Sequence, residues 1–301
     1  MRAAAIVGLG SSPNEVVPFQ LNPGNPTLGM PADSAQADAI LIFGGDGTIH
    51  RHLPDLVRLK LPVLIVPCGS GNDFARALGL LSVRDAMSAW KKFVAGTGSV
   101  QEIDLGVITE SLSQSRSEDQ TGEGALHSAS HYFASVAGIG LDGEVARRAH
   151  SLPRWLRGNG GYVLCLPPAL ATFHPLHMEI FVPHPEQPDA FVSRLNHPIM
   201  LAAFANTSAY GGGMHIAPKA SCIDGMLDIC VVRNIGKMRL LRLFPSVYSG
   251  QHISVDGVDY FQSDHVRVTT NKPTDVYADG EYVCKTPIEI SVESRALRAI
   301  V

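Results

Sequence analysis

Two short apolar runs, Ala39-Ile40-Leu41-Ile42-Phe43 and Val63-Leu64-Ile65-Val66-Pro67, empty into glycine, the first directly and the second through Cys68. The first leads into Gly44-Gly45-Asp46-Gly47-Thr48 and the second into Gly69-Ser70-Gly71-Asn72-Asp73. Uninterrupted apolar runs of this length predict buried parallel strands, so both turns sit at strand carboxyl ends. Glycine lets the backbone approach a ligand closely, and successive N–H groups can then point at phosphate oxygens, helped by the positive end of the next helix. Two such turns at matching strand ends favour a nucleotide, whereas one alone would be read as a tight turn. Thr48 and Ser70 can donate hydroxyl hydrogen bonds to phosphate, and Ile49, His50 and Arg51 continue the same segment. Asn72 and Asp73 open a helix expected over Asp73 to Leu78 and closed by Gly79. Asp46 would repel phosphate directly, so it is expected to face magnesium, a water shell or a substrate hydroxyl. No G-x-x-x-x-G-K-[ST] loop occurs, so backbone, metal and arginine must meet the phosphate charge.

Length and charge narrow the remaining choices. At 301 residues the chain is comfortable for two cores, and a net charge of −4 gives no basic excess for nucleic acid. Cys68, Cys165, Cys222, Cys230 and Cys284 form no C-x-x-C pair and fit reduced packing thiols in the cytosol. Arg2 followed by Ala3 to Gly10 is a brief apolar run that reads as a short leader or equally as a first buried strand. No segment is long and apolar enough to span a bilayer, the best being broken by Pro167-Pro168 and His174.

The first hundred residues alternate strand, turn and helix, which predicts a parallel α/β domain over 1–106. Residues 107–301 are expected to form a β-rich, antiparallel, sandwich-like domain, with strands near Tyr132 to Val136, Met178 to Val182, Pro198 to Phe204, Leu227 to Val232 and Val266 to Thr270. Thr109 to Ser130 is polar and reads as an exposed loop. Gly138-Ile139-Gly140-Leu141-Asp142-Gly143 satisfies G-x-G-x-x-G, yet no acidic residue follows between Glu144 and Glu179 to hold a ribose. A turn into a helix over Glu144 to Ala149 is the better reading. Arg147, Arg148, Arg154 and Arg157 around Leu152, Trp155 and Leu156 suit an anionic membrane surface or, equally, a solvated helix face. His174, His177 and His184 lack helical i, i+4 acid partners, so surface or packing roles are expected.

Three further turns carry polar chemistry. Lys219 to Asp228 contains the turn signal Asp224-Gly225, which reads as an ordinary turn from sequence alone, although one carboxylate with inward carbonyls can hold a hard cation. Gly211-Gly212-Gly213 lies beside Asn206 and Tyr210, and Asp279-Gly280-Glu281 separates strands ending at Tyr277 and beginning at Tyr282.

With these segments in view the chain resembles the diacylglycerol kinase and sphingosine kinase superfamily, in its bacterial branch of lipid kinases. The segments are ILIFGGDGTIH, LPVLIVPCGSGNDFARALGL, FASVAGIGLDGEVARR, FANTSAYGGGMHIAPKASCIDGMLDICVV and YADGEYV, in the family's order over most of the chain. The GGDGT turn by itself is weaker, since NAD kinases resemble it too. The resemblance implies ATP as donor, Mg2+ as cofactor and a diacylglycerol-like or related long-chain lipid as acceptor. Catalytic residues are then Glu281 as first choice for proton acceptor, Asp279 as its neighbour and Asp46 as competing base. It further implies a structural magnesium on Asp224 with main-chain oxygens of Ser221 and Met226, and Asp104 joining Asp46 and Asp73 in a hydrated magnesium network. The last strand is expected to return to the first domain. A cytoplasmic protein that visits the membrane peripherally follows, with a homodimer allowed.

Two departures from the family pattern stand out. The segment before Ala39 is short and rich in Pro, Gly and Asn where the family has strand, long helix and strand, and Arg51 replaces a glutamate common after GGDGT. These motivate two rivals: an NAD kinase-like enzyme, and a non-catalytic nucleotide or lipid sensor on the same fold.

Overall fold

The computed structural model describes residues 1–9, 11–20, 26–111, 130–152 and 161–301. Of the exposed loop expected over Thr109 to Ser130, Thr109 and Glu110 end one strand and Ser130 begins another, while residues 112–129 and the basic-aromatic residues Arg154, Trp155, Leu156 and Arg157 lie outside the described residues.

The first half is built on parallel strands β1 (Ala3–Val7), β2 (Thr27–Leu28), β3 (Ala39–Gly44) and β4 (Pro62–Pro67). Every residue of β3 is buried, as a strand covered on both faces requires. Helix α1 (Asp46–Leu59) turns Ile49, Leu53, Leu56 and Leu59 inward at helical spacing and stops at Lys60, whose φ of 54° is left-handed. After the short α2 (Asp73–Ala77), helix α3 (Val83–Val94) begins at Ser82, whose hydroxyl caps the Asp85 N–H. The amino-terminal segment holds β1, a 3₁₀ turn over Pro13–Phe19 and the two-residue β2 in place of a long helix and full strand. That turn is firmly seated: Phe19 is fully buried edge-on against Phe43, and its carbonyl accepts the Trp90 indole N–H at 3.0 Å.

The second half comprises β5 (Val100–Glu110), β6 (Ser130–Phe133), β7 (Val136–Gly140), α4 (Leu141–His150), α5 (Gly161–Thr172), β8 (Leu176–His184), β9 (Gln187–Ala205), β10 (Leu227–Arg233), α6 (Lys237–Leu243), β11 (Val258–Ser263), β12 (His265–Thr270), β13 (Asp275–Ala278), β14 (Glu281–Lys285) and β15 (Ile288–Ile300). Its strands pair antiparallel and form the expected sandwich-like part. Alternation sorts their side chains between two cores. Ala202, Phe204, Ile229 and Val231 enter the sandwich interior, while Ala203, Ala205, Cys230 and Val232 pack under the helices α4, α5 and α6.

Strands β5 and β15 join the halves. They pair along almost their whole length, and the end of β15 runs parallel to β4 through Arg298 opposite Pro62 and Ala299 opposite Val63. The position 106 chosen as a domain boundary therefore falls inside a strand. The pairing slips between Glu293 and Leu297, where Arg295 takes φ 56°.

Gly140, at φ 95°, precedes α4, so that helix starts at Leu141 rather than Glu144. A side chain on Gly138 would collide with the Asp142 carboxylate, and one on Gly143 would press on the Tyr277 ring at 2.9 Å. Gly138 and Gly143 of this G-x-G-x-x-G thus make room for neighbouring side chains. All five cysteines are free, and burial pushes the thiols of Cys230 and Cys284 up to about 12.

Candidate active site

The two glycine turns meet backbone to backbone, because a side chain on Gly69 would run into the Gly45 Cα. Asn72, itself at φ 58°, holds the second turn closed: its Oδ1 accepts the Gly69 N–H and its Nδ2 donates to the Gly69 carbonyl, both at 2.8 Å. Asp46 stitches one turn to the other by accepting the N–H groups of Asp73 at 3.2 Å and Phe74 at 3.1 Å, which caps α2. No side chain caps α1, so its first-turn N–H groups keep the capacity to meet an anion.

From the opposite wall comes the tip between β13 and β14. A side chain on Gly47 would stand 2.9 Å from Glu281 Oε1, so that carboxylate lies directly against the first glycine turn. Asp279, at φ 51°, is consumed by the fold: Oδ1 accepts the N–H of Ser135 at 2.8 Å and Val136 at 3.3 Å, and Oδ2 that of Ala134 at 2.9 Å. His50 Nδ1 also bonds Asp279 Oδ2 at 3.1 Å. Such a carboxylate positions its neighbour and has little capacity left to take a substrate proton. The walls touch a second time where Asp73 Oδ2 accepts the Gly212 N–H at 2.9 Å, its Oδ1 being paired with Arg76.

Between the walls lies a cleft of about 450 Å³. Gly45, Asp46, Gly47, Thr48, Arg51 and Ser70 line one side, and Ser135, Gly211, Gly212 and Glu281 the other. Arg51 is exposed on α1 and offers a cation to phosphate there. Two members of the expected nucleotide segment serve otherwise, since Ile49 is buried in the core and His50 is turned to Asp279. Thr48 covers the ends of β1 and β3, its hydroxyl lying over Gly8 and Gly44.

Carboxylates crowd this cleft. Burial, and then the charge of Asp73, push the Asp46 carboxyl up to about 6 against the opposing N–H groups of Phe74 and Asp73. Burial disfavours charged His50, but the Asp279 hydrogen bond and the charges of Asp279 and Glu281 outweigh it and raise its pKa. Among the described residues no three His, Cys, Asp or Glu side chains converge to hold an ion unaided. The hard oxygens of Asp46 and Asp73 fit magnesium arriving with a triphosphate, which would relieve their mutual repulsion.

Asp104 does not line this cleft. It is buried, with Oδ2 accepting the Gly225 N–H and Oδ1 the Arg295 N–H, both at 2.8 Å, so the fold uses it as a clamp. Asp224 is exposed, and its Oδ1 accepts the Met226 N–H at 3.0 Å. The remaining oxygen and the carbonyls of Ser221 and Met226 are hard donors of the kind magnesium takes.

Sequence reasoning missed the support behind the tip. Buried Asn206 donates to the carbonyls of Asp104 and Ala134, both at 2.8 Å, and so fixes the Ala134–Val136 bend that holds Asp279. It also missed Asp142, whose carboxyl burial pushes up to about 6 and which accepts the Tyr210 hydroxyl at 2.5 Å. No local motif signals either residue, because the partners of Asn206 and Asp142 lie 68 to 102 residues away in sequence.

Comparison with known proteins agrees with this geometry. The family described as "Diacylglycerol kinase catalytic domain" matches residues 23–108, and "YegS C-terminal NAD kinase beta sandwich-like domain" matches residues 135–301, over half the chain. A diacylglycerol kinase of Mycobacterium tuberculosis is 33% identical over 263 residues, 87% of this chain and 76% of that protein. A diacylglycerol kinase of Bacillus subtilis is 27% identical over 248 residues, covering 81% and 71%. A crystal structure of a Bacillus anthracis diacylglycerol kinase superposes with a TM-score of 0.64 at 17% identity, covering 99% of this chain and 96% of that one. Opposed glycine and acidic walls, two matching family domains in order and a relative at 33% identity together place this chain in the bacterial diacylglycerol kinase and lipid kinase family.

Proposed function

We propose that the chain transfers the γ-phosphoryl group of ATP to the hydroxyl of a diacylglycerol-like or related long-chain lipid, with Glu281 accepting the hydroxyl proton. The observation that carries this is the Glu281 carboxylate reaching from the opposite wall to lie against Gly47 of the first glycine turn. The hydroxyl oxygen bonds the γ-phosphorus as its proton passes to Glu281, and the bond to the bridging oxygen breaks to release ADP. Backbone of both glycine turns and Arg51 orient the phosphates, while His50 and the Ala134–Val136 bend fix the tip that carries Glu281. Magnesium, when bound, neutralises charge spreading over the phosphoryl oxygens; Asp46 and Asp73 would hold it at the cleft, and Asp224 a second ion in its turn.

A lipid acceptor is supported by a second, apolar cavity of about 60 Å³ that shares Tyr210 with the cleft. Leu141, Val145, Leu166, Met214, Leu240 and Leu243 wall it. That lining suits aliphatic carbon, and a cavity of this volume admits a few methylenes of a chain, with the Tyr210–Asp142 pair between them and the cleft.

The test is radiolabelled ATP offered with a panel of micellar lipids and NAD, comparing wild type with Glu281→Gln and Asp46→Asn. Lipid product from wild type and its loss in Glu281→Gln is the expected result. A folded wild type that binds nucleotide and labels nothing would put the sensor first, and labelled NAD the NAD kinase-like enzyme.

A further inference from the structure

The helices that roof the apolar cavity have a bare side. On α5, Cys165, Leu166, Ala169 and Leu170 face the core, while the exposed positions include Val163, Leu164, Pro167, Pro168 and Ala171. An amphipathic surface helix would place polar residues there, and this one offers Thr172 alone among the exposed side chains described over 163–172. Helix α6, KMRLLRL, repeats the arrangement: Leu240 is buried, yet Met238 is 64% and Leu241 39% exposed. The two helices are tied together where Lys237 Nζ donates to the Ala171 carbonyl at 2.7 Å. Leu164, 57% exposed, and Met238 are thus exposed apolar side chains on adjoining helices.

The charge carried by the two helices is of one sign. Neither helix carries an acidic residue, whereas α6 contributes Lys237, Arg239 and Arg242. Arg239 is answered by Asp256, 3.9 Å away. Lys237 and Arg242 form no ion pair among the described residues. On neighbouring α4, Arg148 donates to Thr172 at the end of α5 while paired with Glu144.

We propose that the α5–α6 face seats on an anionic bilayer. Exposed aliphatic side chains flanked by unanswered cations are what a headgroup layer with acyl chains beneath it complements. A second copy is a poorer occupant, because a two-fold contact would bring the cations of α6 against their own equivalents with no acid on either helix to meet them. Position supports the same partner. The inner sides of these helices supply Leu166, Leu240 and Leu243 to the apolar cavity, so a lipid leaving a bilayer under this face enters next to Tyr210 and the cleft. The inference rests on the lipid kinase reading for its purpose, but not for its measurement.

Sedimentation with sucrose-loaded vesicles, without nucleotide, tests it. Vesicles of phosphatidylcholine alone are compared with phosphatidylcholine mixed with phosphatidylglycerol. Wild type is expected to pellet with the mixed vesicles, more weakly at high salt and with phosphatidylcholine alone. Leu164→Asp with Met238→Asp is expected to weaken binding by roughly tenfold or more, and Arg242→Glu to abolish the preference for phosphatidylglycerol. Circular dichroism establishes that the variants are folded. Both should phosphorylate a short-chain, water-dispersed diacylglycerol as wild type does, which separates docking from catalysis; if wild type fails on that substrate, the kinase reading falls while the vesicle result still stands. Wild type remaining in the supernatant with mixed vesicles, or variants that pellet equally, overturns the proposal. So does a dimer in light scattering that the same substitutions dissolve.

Discussion

His50 Nδ1 lies 3.1 Å from Asp279 Oδ2 across 229 residues of sequence, so the helix that follows the first glycine turn is fastened to the acidic tip of the other half. Asp279 also holds the N–H groups of Ala134, Ser135 and Val136. Asp279→Ala strands all of them in a part-buried place and should cost about 3–5 kcal/mol in urea unfolding. Asp279→Asn keeps one acceptor oxygen and should recover part of the loss.

Proton linkage gives a pH signature. The Asp46 carboxyl rises from 3.8 to about 6 on folding, so the folded state binds the extra proton and stability falls as pH climbs between those values. His50 is also raised, and its contribution is full below its unfolded pKa and lost as pH passes the higher folded one. Thermal melts from pH 4 to 8 should show wild type losing stability relative to Asp46→Asn up to about pH 6, and relative to His50→Gln above about 6.5. Parallel curves would contradict both assignments.

Two glycine substitutions should separate catalysis from architecture. A methyl on Gly47 meets Glu281 Oε1 at 2.9 Å, the far end of a side chain that can swing away. Gly47→Ala should therefore lower kcat by about 10-fold or more with a near-normal melting temperature, since misplacing a reacting group is costly in rate. Gly69→Ala puts its methyl into the Gly45 backbone and should cost about 1–3 kcal/mol in stability and weaken ATP binding.

If Glu281 takes the proton, Glu281→Gln should reduce kcat by about 10²–10⁴ with KM for ATP little changed. Asp46→Asn should instead raise the magnesium concentration needed for half-maximal rate.

A magnesium on the Asp224 turn predicts a rise in melting temperature on adding Mg2+ that Asp224→Ala removes. Asp104→Asn should lower stability by about 1–3 kcal/mol with or without the ion, because its oxygens hold Gly225 and Arg295.

The sequence made plain what local chemistry determines. Val63 to Val66 could only be a buried strand, and glycine at its end could only be a close-packed turn, so the nucleotide wall was legible residue by residue. The tip at Asp279-Gly280-Glu281 was legible as a turn, and its place across the cleft came through family likeness. What stayed hidden was partner choice. Nothing near His50 in sequence announces Asp279, and nothing near Asp104 announces Arg295, since those pairings are created when distant strands come together. Ile49 shows the same limit in reverse: it sits among loop residues, but helical phase sends its side chain into the core.

Strands β5 and β15 pass unbroken from one half to the other, and their irregular stretch around Arg295 is pinned by Asp104. Among the described residues the halves are joined by paired strands and not by a loose tether. Breathing that admits a nucleotide is then expected to flex the ribbon itself at that pinned kink, which would make a residue remote from the phosphates a governor of how wide the cleft opens.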